Sequence, residues 1–142
     1  MLQQTQVDRV VAAYERFIGI FTSFEGLAAA TRADVVREWK GLGYNLRAVR
    51  LHELACAVVE RHGGSLPSDE AALRALPGIG AYTAAAIRAF AFELDDVAVD
   101  VNVRRVMHRL RFGLEYPPKA TASRLDTAAR ALLARGRAHD WN

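Results

Sequence analysis

Apolar residues recur at spacings of three and four along most of the chain, and alternating apolar–polar runs are almost absent, which predicts an all-α protein. Val7, Val10, Val11, Tyr14, Phe17 and Ile18 mark one amphipathic helix near the start. Gln3, Gln4 and Thr5 fall on its first turn, where no apolar periodicity accounts for them. Thr31-Arg32-Ala33-Asp34 has the form of a capping box with Asp in place of Glu, and opens a helix to about Lys40. Gly41-Leu42-Gly43-Tyr44 then breaks the pattern. A long helix is expected from about Leu46 to His62, with Leu51, Leu54, Ala55 and Val58 on one face and Gly63-Gly64 at its end.

Ser68 or Asp69 can cap a short helix reaching Leu76. After the turn Pro77-Gly78-Ile79-Gly80 comes an alanine-rich helix from about Tyr82 to Phe92. Val97-Ala98-Val99 reads as a brief extended run, Asp100 begins a helix to about Phe112, and a last one runs from about Thr121 to Ala134. No repeat or low-complexity tract interrupts this set of roughly eight helices.

The 142 residues are one domain's worth, 51% apolar, with no apolar run long enough for a membrane span. The polar Gln3-Gln4-Thr5-Gln6 directly after Met1-Leu2 does not read as a signal peptide. A single cysteine, Cys56, excludes an internal disulfide and an all-cysteine metal or cluster site within these residues, and fits a reducing, cytoplasmic setting. Charge is uneven: residues 100–142 hold nine of the 19 Lys and Arg but four of the 16 Asp and Glu. A basic C-terminal part is compatible with a polyanionic partner and equally with solvated helix faces.

The string Leu76-Pro77-Gly78-Ile79-Gly80-Ala81-Tyr82-Thr83-Ala84 carries the clearest chemistry. Glycines in a helix–helix turn let another backbone approach, and the amides that follow lie at a helix start, where free N–H groups favour a phosphate oxygen. No Gly-Lys-Ser/Thr follows, so a nucleotide P-loop is excluded, and no preceding strand supports a dinucleotide fold. An ordinary tight connection remains the structural alternative. Asp100, ahead of a helix, suits an N-cap; such a carboxylate is also favoured as the anion, and so can stabilise a positive charge brought near it.

Four segments together resemble one family. Leu76-Pro77-Gly78-Ile79-Gly80-Ala81-Tyr82-Thr83-Ala84 resembles the helix-hairpin-helix of the DNA glycosylase superfamily whose motif ends in a Gly/Pro-rich loop and a catalytic aspartate (HhH-GPD). Met1-Leu2-Gln3-Gln4-Thr5-Gln6-Val7, Trp39-Lys40-Gly41-Leu42-Gly43-Tyr44 and Asp100-Val101-Asn102-Val103-Arg104-Arg105-Val106 look like the A/G-specific adenine DNA glycosylases, the MutY family, in the family's order over nearly the whole chain. The resemblance implies a six-helix-barrel glycosylase core with its hairpin at about 69–92. It implies base excision repair by a monofunctional N-glycosylase that removes adenine mispaired with 8-oxoguanine or guanine. Its partner would be double-stranded DNA carrying that mispair, and the enzyme would act as a monomer away from membranes, nucleoid-associated in a bacterium.

By that resemblance Asp100 stabilises the sugar cation and Asn102 helps arrange the pocket. Tyr82 stands where endonuclease III-type relatives place a Schiff-base lysine, so strand cleavage is not expected. Gln4 would wedge into the duplex beside Gln3, and Thr5 would contact the lesion strand. Leu42 and Tyr44 would lie beside the lesion base, and Pro77, Gly78, Ile79 and Gly80 would grip the backbone. Val101 departs from the glycine most common at its position.

The resemblance also places two family features outside these residues. The adenine-protonating glutamate lies two residues ahead of the methionine matched by Met1, and neither Glu15 nor Glu38 occupies its position. The four-cysteine iron–sulfur segment and the lesion-recognition domain follow the residues matched by His139-Asp140-Trp141-Asn142. The expectation is a glycosylase core truncated at both ends, without an iron–sulfur module or cofactor, and weak or inactive without its general acid. A non-catalytic helix-hairpin-helix DNA-binding module and a thymine- or pyrimidine-directed or endonuclease III-like relative are the alternatives. His108 and His139 show no metal-ligand spacing.

Overall fold

The computed structural model describes Met1, residues 5–113 and residues 122–142. Among these the secondary structure is helical, with no strand. Nine helices follow in order: α1 Val7–Ile20, α2 Phe24–Ala29, α3 Arg32–Glu38, α4 Leu46–His62, α5 Glu70–Arg74, α6 Ala81–Ala91, α7 Val101–Phe112, α8 Ala122–Leu132 and α9 Ala138–Trp141. None is long and apolar enough to cross a membrane among the described residues. The helices group into two compact units, one of Met1–Pro67 with Ala75–Gly78, the other of Ser68–Arg74 with Ile79–Asn142.

In the first unit α4 packs against α2 and α3, and α1 against α3. The core follows from the apolar periodicity: Val10, Ala13 and Phe17 of α1 meet Leu27, Val35, Trp39 and Leu42. The Phe17 ring meets Trp39 edge-on, with centroids 5.9 Å apart, a geometry that suits the opposed edge and face charge of aromatic rings. Helix α3 starts as its sequence dictates, with the Thr31 hydroxyl accepting the Asp34 amide at 3.1 Å. The Asp34 carboxylate in turn accepts the Thr31 hydroxyl at 2.6 Å.

Two differences from the sequence reading concern the first unit. Helix α2 was not expected; it is six residues long, too short to show periodicity, and is set by Ser23, whose hydroxyl accepts the Gly26 amide at 3.1 Å. Helix α1 begins at Val7, so Thr5 precedes it and does not lie on its first turn. Gln3 and Gln4, assigned to the same turn, lie outside the described residues.

In the second unit α5 packs on α6, α6 on α9, and α7 on α8. Val97, Met107, Leu125 and Ala129 form its core, with Val99, Val103 and Trp141 against them. Asp69 is the cap ahead of α5, its carboxylate accepting the Ala72 amide at 2.8 Å. Asp96 is 2% exposed and is met by two cations, Arg88 from α6 and Arg130 from α8. A buried carboxylate is tolerated only when so compensated. Its Oδ1 also accepts the Val97 amide at 2.8 Å, at the start of the non-helical segment 97–99.

Candidate active site and nucleic-acid interface

The second unit holds the candidate catalytic group. Asp100 is the N-cap of α7, with extended backbone and a half-buried side chain. Its Oδ1 accepts the Val103 amide at 2.7 Å, while Oδ2 accepts Asn102 Nδ2 at 3.2 Å. One oxygen is thus committed to the helix, and the other keeps lone pairs for a ligand. Asn102 is oriented in turn, since its Oδ1 accepts from Arg105 Nη2 at 2.9 Å. Arg104 turns the other way and binds Asp126 of α8 through two bonds of 3.1 Å. The basic residues of α7 are therefore partly used in holding its own unit together.

Val101, in the position where the family most often has glycine, has no positive φ and is 75% exposed. Helical backbone here admits a β-branched residue, and Val101 does not distort the cap. Tyr82, on the first turn of α6, is 46% exposed, and its hydroxyl has no hydrogen-bond partner among the described residues. A bond from it to Asp100 is not formed, and the phenol remains available to a ligand.

The turn before α6 has the character that the sequence suggests. Gly78 has φ +79°, a conformation that L side chains rarely adopt, and a Cβ there would lie 3.4 Å from Arg50 Cβ. Gly80 is the N-cap of α6 in extended backbone, and having no side chain it leaves the first amides of that helix without a cap bond. Those N–H groups are open donors at the positive end of an 11-residue helix. Pro77 and Ile79 are half-buried, and Gly78 and Gly80 exposed.

The first unit holds the candidate strand-reading residues. Tyr44 is 64% exposed and takes φ +48°, which is costly for a side chain of its size. The loop that holds it is pinned from inside, because Trp39 Nε1 donates to the Gly43 carbonyl at 3.1 Å. Leu42 requires a correction: it is 4% exposed and packs in the core with Trp39 and Phe17, so its side chain does not face a duplex. It is drawn inward because the turn presents Gly41 and Gly43 outside and its one aliphatic side chain within.

Thr5, expected to contact the lesion strand, is held within its own unit. Its hydroxyl donates to the Leu42 carbonyl at 3.0 Å and accepts from Arg47 Nη2 at 2.9 Å. Arg47 is the residue that sequence reasoning missed. Its guanidinium also donates to the carbonyls of Met1 at 2.9 Å, Leu42 at 2.9 Å and Gly43 at 3.2 Å. It lies 5.4 Å from the Trp39 ring centroid and 5.6 Å from that of Tyr44. An arginine three residues after the loop tyrosine was the only available signal.

For a metal or cluster the residues offer little. Cys56, the single thiol, is half-buried, with Sγ 3.9 Å from the Ala28 carbonyl oxygen and from His52 Nε2. No group of three His, Cys, Asp or Glu among the described residues could hold a metal ion. His108 is buried in its unit, and His139 meets Phe90 edge-on at 5.3 Å. One thiol cannot by itself supply the ligands of a four-thiolate cluster.

A helical hairpin with an uncapped second helix, followed by an aspartate at the head of a further helix, defines a class of DNA-repair fold. The model of the HhH-GPD superfamily of base excision DNA repair proteins matches residues 1–131, and the chain belongs to that superfamily. Within it the chain is 44% identical over 133 residues to an adenine DNA glycosylase of Mycolicibacterium smegmatis, covering 94% of this chain and 45% of that protein. It is 40% identical over 144 residues to the adenine DNA glycosylase of Mus musculus, covering 100% of this chain and 28% of that protein. The solved structure of a thermostable thymine-DNA glycosylase superposes with a TM-score of 0.89 at 32% identity, over 99% of this chain and 65% of that one. The chain thus spans less than half the length of these two adenine glycosylases.

Proposed function

We propose that this chain is the core of a monofunctional DNA N-glycosylase that removes adenine mispaired with 8-oxoguanine or guanine. The observation that carries the reading is Asp100: a carboxylate fixed by Val103 and Asn102, whose Oδ2 keeps a lone pair for a sugar. The C1′–N9 bond of the flipped nucleotide breaks with its electron pair leaving on adenine, and positive charge spreads over C1′ and the ring oxygen. The Asp100 anion stabilises that charge, water adds its oxygen to C1′ and gives up a proton to solvent, the departing adenine takes one up from solvent, and an abasic site remains. Tyr82 offers a hydroxyl but no amine, so a Schiff base with the sugar does not form. The open amides after Gly80 suit the phosphate of the held strand, and Tyr44 suits stacking beside the lesion base.

The likeness to adenine glycosylases at 40–44% identity supports adenine as the base. The thymine-DNA glycosylase likeness supports a second reading on the same scaffold, in which thymine opposite guanine is removed. The test is single-turnover base release with protein in excess, followed for hours, on A:8-oxoG, A:G and G:T duplexes, with Asp100→Asn as control. Adenine release that Asp100→Asn abolishes supports the proposal. Thymine release alone establishes the second reading, and duplex binding with no Asp100-dependent release of any base establishes a binding module.

A further inference from the structure

We propose that Asn142 is a positioning residue for Asp100, acting through the non-helical segment that leads into α7. The inference rests on the reading of Asp100 as the sugar-stabilising carboxylate. Its cap bond to Val103 fixes Asp100 relative to its own helix only. Where the head of that helix lies is decided by the chain entering it. Residues 97–99 lie in no helix and have no strand beside them among the described residues, so their backbone groups need other partners.

Asn142 supplies them. Its Oδ1 accepts the Ala98 amide at 2.7 Å, and its Nδ2 donates to the Asp96 carbonyl at 2.9 Å. One planar side-chain amide thus meets the N–H of one residue and the C=O of the residue two before it, as a neighbouring strand would. The remaining Nδ2 proton goes to the Ala138 carbonyl at 2.7 Å, which orients the amide from α9. Ala98 lies two residues before Asp100 and is buried, so a shift of this rung is passed on to the carboxylate. The neighbouring Asp96 carboxylate, bound to Arg88 and Arg130, ties down the same segment from the side of α6 and α8.

Only an amide donates and accepts in one plane at this reach. Asn142→Asp keeps an acceptor for Ala98 but sets a negative oxygen against the Asp96 carbonyl. Asn142→Ala removes both bonds and leaves the Asp100 cap intact.

The test measures, for the full chain, single-turnover adenine release from an A:8-oxoG duplex, duplex affinity, and hydrogen exchange of the Ala98 amide. Asn142→Ala is expected to slow release by about 10-fold or more, as misplaced reacting groups do. Duplex affinity should change by less than about 2-fold, since no DNA-facing group is lost. Exchange at Ala98 should quicken, and Asn142→Asp should fall between the two in release. In an Asp100→Asn background Asn142→Ala should cause no further loss, because the group it positions is already gone.

Release at the wild-type rate in Asn142→Ala, or the same fractional loss in both backgrounds, overturns the proposal while the role of Asp100 stands. If Asp100→Asn itself releases adenine at the wild-type rate, the underlying reading fails, and this inference with it. Should Asn142→Ala not fold, Asn142→Asp decides by the same criteria.

Discussion

The Val103 amide donates to the Asp100 carboxylate at 2.7 Å, so the group assigned to the chemistry is also the cap of α7. The two duties separate by substitution. Asn is as good a cap as Asp, so Asp100→Asn should change stability by less than about 0.5 kcal/mol. Adenine release should fall by about 10² or more, because a neutral amide cannot balance a sugar cation. Asp100→Ala should lose release equally and in addition about 1 kcal/mol of stability. Urea midpoints beside single-turnover rates check both; equal stability losses in the two variants would remove the cap from the account.

Asp96 is expected to be the most costly single charge in the second unit. It is buried, and the cations that balance it come from two helices, Arg88 on α6 and Arg130 on α8. Removing one partner of a buried ion pair costs about 3–5 kcal/mol. Asp96→Ala should sit at the lower end, about 3 kcal/mol, because the Arg130 side chain is 49% exposed and regains water. Chemical denaturation measures this; a loss under about 1 kcal/mol would mean that the two arginines hold nothing together.

Tyr44 is exposed and takes an unfavourable positive φ, an arrangement that packing within its own unit does not require. Tyr44→Ala should therefore leave stability within about 0.5 kcal/mol. Duplex affinity should weaken by about 1–3 kcal/mol if the ring stacks on a base. Fluorescence anisotropy with an A:8-oxoG duplex reads the second value, and unchanged affinity would remove Tyr44 from the interface.

The helical class and most boundaries were legible because apolar spacing, Thr31, Asp69 and Asp100 state local rules that packing did not override. Asp100 was legible twice, as a cap and as part of a motif. Leu42 was misread because a glycine-flanked leucine looks the same whether the turn throws it outward or tucks it under Trp39. Arg47 gave only its place three residues after the loop tyrosine, and Asn142 gave no signal, since each has a partner 46 residues away that only folding brings near. Helix α2 was missed for want of length, as six residues span less than two turns.

At the start of α3 the Thr31 hydroxyl, and beyond it Arg37, hold the Asp34 carboxyl below its ordinary value. A depressed carboxyl contributes stability that is present above its unfolded value, near pH 4, and lost as pH falls through the folded one. Thr31→Val removes the hydroxyl, so its stability should fall less on acidification below about pH 4 than that of the unaltered chain. Urea midpoints across that range test the difference; parallel curves would show that Thr31 does not support the ionised form.

Arg47 ties the first residues of the chain to a turn some 40 positions later through one flat, five-donor group. The leading peptide and the tyrosine turn are consequently not independent modules. A lysine at 47 would keep the charge but could not span the same set of oxygens, and both ends of the fastening would slacken together. Transplanting either piece onto a relative without this guanidinium would carry over the letters of the motif and leave its shape behind.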